Sequence, residues 1–93
     1  MTAASLQMVL VVTNCRSYRD TRKQMQNIMN KLRKHFNVAL AEVGRFEAPG
    51  ESKLAAVSVG RTRGEVRETL LRVADAIAVH PRTEVLSQTL SEI

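Results

Sequence analysis

The sequence predicts an α+β domain. Two stretches with helical apolar spacing are set among four β-branched or alternating segments, and turn or cap chemistry stands at each change of period. The resulting order is strand, helix, strand, strand, helix, strand.

Leu6 to Thr13 is apolar on both alternating faces and rich in β-branched side chains, as expected of a central strand covered on two sides. Ser17 then opens a helix, with Asp20 three residues on as a variant of the capping box. Met25, Ile28, Met29, Leu32 and Phe36 follow the i, i+3, i+4, i+7 spacing of a core-facing stripe. Asn37 stands where a left-handed cap is wanted, and Lys31, Arg33, Lys34 and His35 occupy the end that favours cations.

Val38 to Phe46 reads as the second strand and Lys53 to Gly60 as the third, joined across the Pro49-Gly50 turn as a hairpin. Thr62 and Glu65 form a capping box, and Val66, Leu70, Val73 and Ile77 recur at helical spacing behind it. His80-Pro81 stops that helix, Thr83 to Leu90 forms the last strand, and Met1 to Ser5 and the final residues are expected to fray. This β-α-β-β-α-β order is the ferredoxin-like arrangement, a four-stranded antiparallel sheet with both helices on one face. The other face is left open; with Ala55, Ala56 and Ser58 offered by the third strand, it is a candidate for dimerisation or partner docking.

The 93 residues make one domain, 1–93, long enough to bury roughly 60–65% of its unfolded surface. Cys15 is the only cysteine and the two histidines lie far apart, so neither an internal disulfide nor a conventional zinc site is available. The N-terminus lacks the features of a secretory signal, and the run from Met8 to Val12 is too short to span a bilayer. A soluble protein of the reducing cytoplasm is expected, with no cofactor, metal or membrane. Tyr18, Phe36 and Phe46 are the only aromatic residues, so stacking on bases is not expected.

The most informative feature is the distribution of charge. The net charge is +5, yet the segment from Arg16 to His35 alone carries +6, because it holds seven of the fourteen Lys and Arg residues and only Asp20 against them. On a wheel of about 100° per residue, Arg19, Arg22, Lys23, Lys31, Arg33 and Lys34 spread over the face opposite Met25 and Leu32, interleaved with Gln26, Asn27 and Asn30. The second helix serves as a control: Arg63, Arg67 and Arg72 alternate there with Glu65, Glu68 and Asp75, the pattern of a solvated face. Arg19, Arg22, Lys23, Lys31, Arg33 and Lys34 are therefore the candidate nucleic-acid contacts. The competing reading is that Glu65, Glu68 or Asp75 neutralise part of this face from the neighbouring helix.

Other residues are better explained structurally. Cys15 precedes a helix N-terminus and Arg16, a setting that favours a thiolate, but no base is expected near it. His35 complements a helix C-terminus and His80 precedes a proline in a loop. Glu42, between Ala41 and Val43, calls for an edge strand or a basic partner. Gly60-Arg61-Thr62-Arg63-Gly64 has donors for a phosphate oxygen but no Walker spacing, and reads as turn and cap.

The runs Arg16-Ser17-Tyr18-Arg19-Asp20-Thr21-Arg22 and Leu32-Arg33-Lys34-His35-Phe36-Asn37-Val38-Ala39-Leu40-Ala41-Glu42-Val43 resemble the YlxP-like family, small bacterial proteins of unknown function. The resemblance is collinear over nearly the whole chain. It implies a ferredoxin-like fold, a cytoplasmic bacterial protein and no catalytic residues. Members are often encoded beside translation initiation factor two and ribosome-binding factor A, which implies RNA or a ribosomal particle as partner. Gly44 to Gly50 departs from the family's Asp-rich segment and its Leu-Trp-Gln element, and Tyr18 and Thr21 replace a leucine and a lysine. Acylphosphatases share the expected topology and size, but their Gly-x-Val-Gln-Gly loop is missing and Asn14-Cys15-Arg16 is a poor substitute. The expected function is thus a noncatalytic RNA- or ribosome-associated module; the alternative is a homodimer that regulates or scaffolds through its open sheet face.

Overall fold

The first strand, apolar on both alternating faces, is central as expected, with a strand on each edge, but helices cover only one of its faces. The computed structural model describes residues 1–44 and 49–93. Its elements are β1 (Thr2–Val12), α1 (Tyr18–His35), β2 (Ala39–Glu42), β3 (Glu51–Gly60), α2 (Arg63–Ala78) and β4 (Thr83–Glu92). The strands lie in the order β2-β3-β1-β4 and every neighbouring pair is antiparallel. This is the ferredoxin-like arrangement expected from the element order. β2 is shorter than the expected Val38 to Phe46, with Val38, Val43 and Gly44 outside it; Arg45 and Phe46, and the start of the turn, Glu47 and Ala48, lie outside the described residues.

Period-two alternation sorts the sheet into two faces. Ala4, Leu6, Met8, Leu10 and Val12 of β1 point to one side with Leu54 and Ala56 of β3, and all are buried. Onto them pack Met25, Ile28, Met29 and Leu32 from α1 and Val66, Leu70, Val73, Ala74 and Ile77 from α2, forming one core. Phe36 is only partly buried at its margin. Each fully buried Leu or Met here contributes about 1.5–3 kcal/mol relative to exposure.

Three expectations need correction. The N-terminus does not fray: Thr2, Ala3, Ala4 and Ser5 pair with Gly60, Val59, Ser58 and Val57, and Ala4 is buried. The chain continues β4 alongside, where Ile93 N donates to Ala3 O at 3.0 Å. Asn37 is not left-handed, since Asn14 (φ 61°) is the one non-glycine with positive φ among the described residues. Instead Asn37 is drawn onto β3, its amide donating to Val59 O at 3.3 Å and its carbonyl accepting from Ser58 Oγ at 2.9 Å. Finally, of the three small residues assigned to the open face only Ala55 belongs there. Ala56 and Ser58 are buried on the helix side.

Glu42 ends β2, an edge strand as its charge requires, but its partner is a hydroxyl rather than a base: Ser52 Oγ donates to Glu42 Oε2 at 2.5 Å. Gly50 is required by its surroundings. At φ +92° an added Cβ would stand 2.7 Å from Val12 O, because Gly50 is held close to Val12, whose N–H donates to Gly50 O.

Candidate nucleic-acid interface

The site is the outward face of α1, and its electrostatics begin with the helix's one acid. Ser17 Oγ accepts from Asp20 N at 3.2 Å, and Asp20 Oδ2 accepts from Arg16 N at 3.4 Å. The carboxylate is thus committed to the N-terminal cap, where helix dipole and orphan donors favour it. It does not reach out over the basic face. On the opposite side of the helix Thr21 is buried: its hydroxyl donates to Ser17 O at 3.1 Å and accepts from Gly50 N at 2.7 Å. This bond ties the start of α1 to the turn before β3. A polar residue among basic ones gave no sign of burial in the sequence; the only clue is that position 21 falls on the Met25 and Ile28 side of the wheel.

Arg19, Arg22, Lys23, Lys31, Arg33 and Lys34 are all exposed, as are Gln26, Asn27 and Asn30 between them. The fold therefore presents all six candidate cations at the surface of one helix. Arg33 differs from the rest. Its guanidinium donates to Leu40 O at 3.0 Å and to Asn30 Oδ1 at 3.2 Å, so it fastens the end of α1 to β2.

Neutralisation from the second helix is not what the structure contains. Glu68 pairs with Arg72 at 2.7 Å and Glu65 with Arg61 at 4.0 Å, both at i, i+4, while Glu92 of β4 takes Arg63 at 3.6 Å. Among the described residues no Lys or Arg of α1 lies within ion-pair distance of a carboxylate. The reason is local for two of the acids: i, i+4 spacing brings Glu65 to Arg61 and Glu68 to Arg72 before any base of α1.

The remaining candidates resolve into structural roles. Glu65 Oε2 accepts from Arg61 N at 3.1 Å and Thr62 Oγ1 from Glu65 N at 3.2 Å, so a carboxylate already answers the start of α2. A polar groove of about 440 Å³ beside it, lined by Asn37, Arg61, Glu65, Glu68 and Arg72, holds both signs of charge. Cys15 packs against the core margin. His80 Nδ1 accepts from Arg82 N at 3.2 Å, and its pKa is lowered by burial first and then by the positive charges of Lys31 and Arg82. Among the described residues no group of three or more His, Cys, Asp or Glu side chains converges as metal ligands. No helix among them is long and apolar enough to cross a membrane.

An α+β domain of ferredoxin-like topology, with one basic helix whose cations have no carboxylate partner among the described residues, is thus what fold and surface define. The chain belongs to the family described as Protein of unknown function (DUF503), whose family model matches residues 3–90. No curated protein matches it.

Proposed function

We propose that this protein is a noncatalytic RNA-binding module, of the kind that associates with ribosomal particles in the cytoplasm, and that α1 is its contact surface. The observation that carries the reading is the contrast in ion pairing: Arg61, Arg63 and Arg72 of α2 and its N-terminal turn pair with Glu65, Glu92 and Glu68, whereas among the described residues no base of α1 has a carboxylate partner. A single-sign stripe of this kind attracts phosphate backbones and releases their counterions, with affinity that falls steeply as salt rises. Arg19, Arg22, Lys23, Lys31 and Lys34 make the phosphate contacts, and Arg33 adds charge while holding the β2 corner. The test is binding of structured RNA or ribosomal particles at low and moderate salt. Tight, salt-sensitive binding that is lost in the triple variant Arg19→Glu, Lys23→Glu, Lys34→Glu is expected. Equal binding by both proteins would rule the surface out.

A second reading rests on a separate observation, the sheet face that no helix covers. Ser5, Val9 and Val11 of β1 and Ala55 and Val57 of β3 are half-buried there, and Val59 is 49% exposed. In this reading two copies meet through their sheets as a regulatory or scaffolding dimer. Light scattering across micromolar concentrations decides it, since a strictly monomeric mass excludes the homodimer.

A further inference from the structure

The order of side chains along α1 says more than its total charge. Arg16, Arg19, Arg22 and Lys23 form a cationic cluster at the start of the helix, and Lys31, Arg33 and Lys34 form a second at its end. Between them the exposed positions are amides, Gln26, Asn27 and Asn30. Asn30 Oδ1 accepts from Arg33, and among the described residues the amide nitrogen of Asn30 and the side chains of Gln26 and Asn27 have no hydrogen-bond partner. At 1.5 Å per residue Lys23 and Lys34 stand about 16 Å apart along the axis. We infer that α1 lies across the minor groove of double-stranded RNA, its two cationic clusters on the phosphates of opposite strands and the amides of Gln26, Asn27 and Asn30 on the 2′-hydroxyls between. The inference rests on the RNA-binding reading above and names its ligand.

Three features separate duplex RNA from the other nucleic acids. Amides donate and accept at once, as a 2′-hydroxyl does, whereas DNA offers no such group on the sugar. The minor groove of an A-form duplex is also wide and shallow and displays those hydroxyls, so a helix buried on its inner side through Met25, Ile28, Met29 and Leu32 reaches it with its exposed face. Single strands are bound through stacking on aromatic side chains, and on α1 only Tyr18 offers one, 52% exposed at the extreme first turn.

The experiment compares three probes by fluorescence anisotropy at several salt concentrations: an RNA duplex of about twenty base pairs, the DNA duplex of the same sequence, and one strand of the RNA. Two full-length variants accompany the wild type, Gln26→Ala with Asn27→Ala and Asn30→Ala, and Lys23→Gln with Lys34→Gln. Alanine favours helix, so the first variant stays folded, which circular dichroism verifies. The wild type is expected to prefer duplex RNA at least tenfold over both other probes. The amide variant should lose that preference while keeping its salt dependence, and the lysine variant should keep the preference while its log–log salt slope falls by about one per contact removed. Equal or tighter binding of the single strand or the DNA, or an amide variant with its preference intact, overturns the duplex assignment and leaves RNA binding standing. Failure to bind any of the three removes both.

Discussion

The two helices are built alike on their buried sides and oppositely on their exposed ones. Each begins with a hydroxyl cap answered by an acid three residues on, Ser17 with Asp20 and Thr62 with Glu65, and each sends an apolar stripe onto the same sheet face. Outside, α2 alternates arginine with glutamate and closes an ion pair with itself. Among the described residues the bases of α1 have no carboxylate within ion-pair distance, and its one acid is held in its cap. Folding demands the first set of features and is indifferent to the second. The difference between the outer faces is therefore where a function other than folding is legible.

Truncation of the core would break the comparison most severely if the helices were unequally held. Met25→Ala and Leu70→Ala, both at fully buried positions, are each expected to cost about 2–5 kcal/mol in urea unfolding. A much smaller cost at Met25 would mean that α1 is loosely attached and its surface is not comparable. Next in size is Thr21→Val, which keeps the shape but leaves the Gly50 N–H without an acceptor. A loss of about 1–3 kcal/mol by the same measurement is expected, and it would show that α1 is pinned by a polar bond as well as by packing.

Neutralising exposed charge should act in opposite directions on the two helices, by a few tenths of a kcal/mol. Lys23→Gln with Lys34→Gln is expected to raise the melting temperature slightly at low salt by relieving repulsion. Arg72→Gln should lower it by breaking the pair with Glu68. Equal signs would contradict the contrast. The smallest effect concerns the end of α2, where the His80 pKa is lowered from the ordinary 6.5. The unfolded chain then binds more protons than the folded one near that pH, so stability is complete above about 6.5 and declines as pH falls through the lower folded value. His80→Gln should flatten the dependence of melting temperature on pH between 7.5 and 5.

Much of this could be read before the fold was seen, and the misses have a common form. The stripe of Met25, Ile28, Met29 and Leu32 was evident because helical period is a local property. Ser17 and Thr62 declared themselves for the same reason, since a cap and its answering acid lie three residues apart. Thr21 escaped notice because its partner, Gly50, is twenty-nine positions away. The place of Asn37 is not legible locally, because the competing acceptor and donor, Val59 and Ser58, belong to another strand. The early start of β1 and late end of β4 were invisible likewise. A polar segment such as Thr2 to Ser5 becomes a strand only when β3 offers a ladder.

By itself the sequence determined the order and type of the six elements, the N-terminal caps of both helices, and the concentration of positive charge on α1, because each depends on residues within a turn or two of one another. Tertiary structure decided which alternating face of β3 is covered, so that Ala56 and Ser58 are buried and Ala55 is not. It also decided that Arg33 spends hydrogen bonds on the β2 corner, and that Glu92 of β4 pairs with Arg63 of α2. These outcomes turn on distances between residues remote in the chain, which periodicity and composition do not encode.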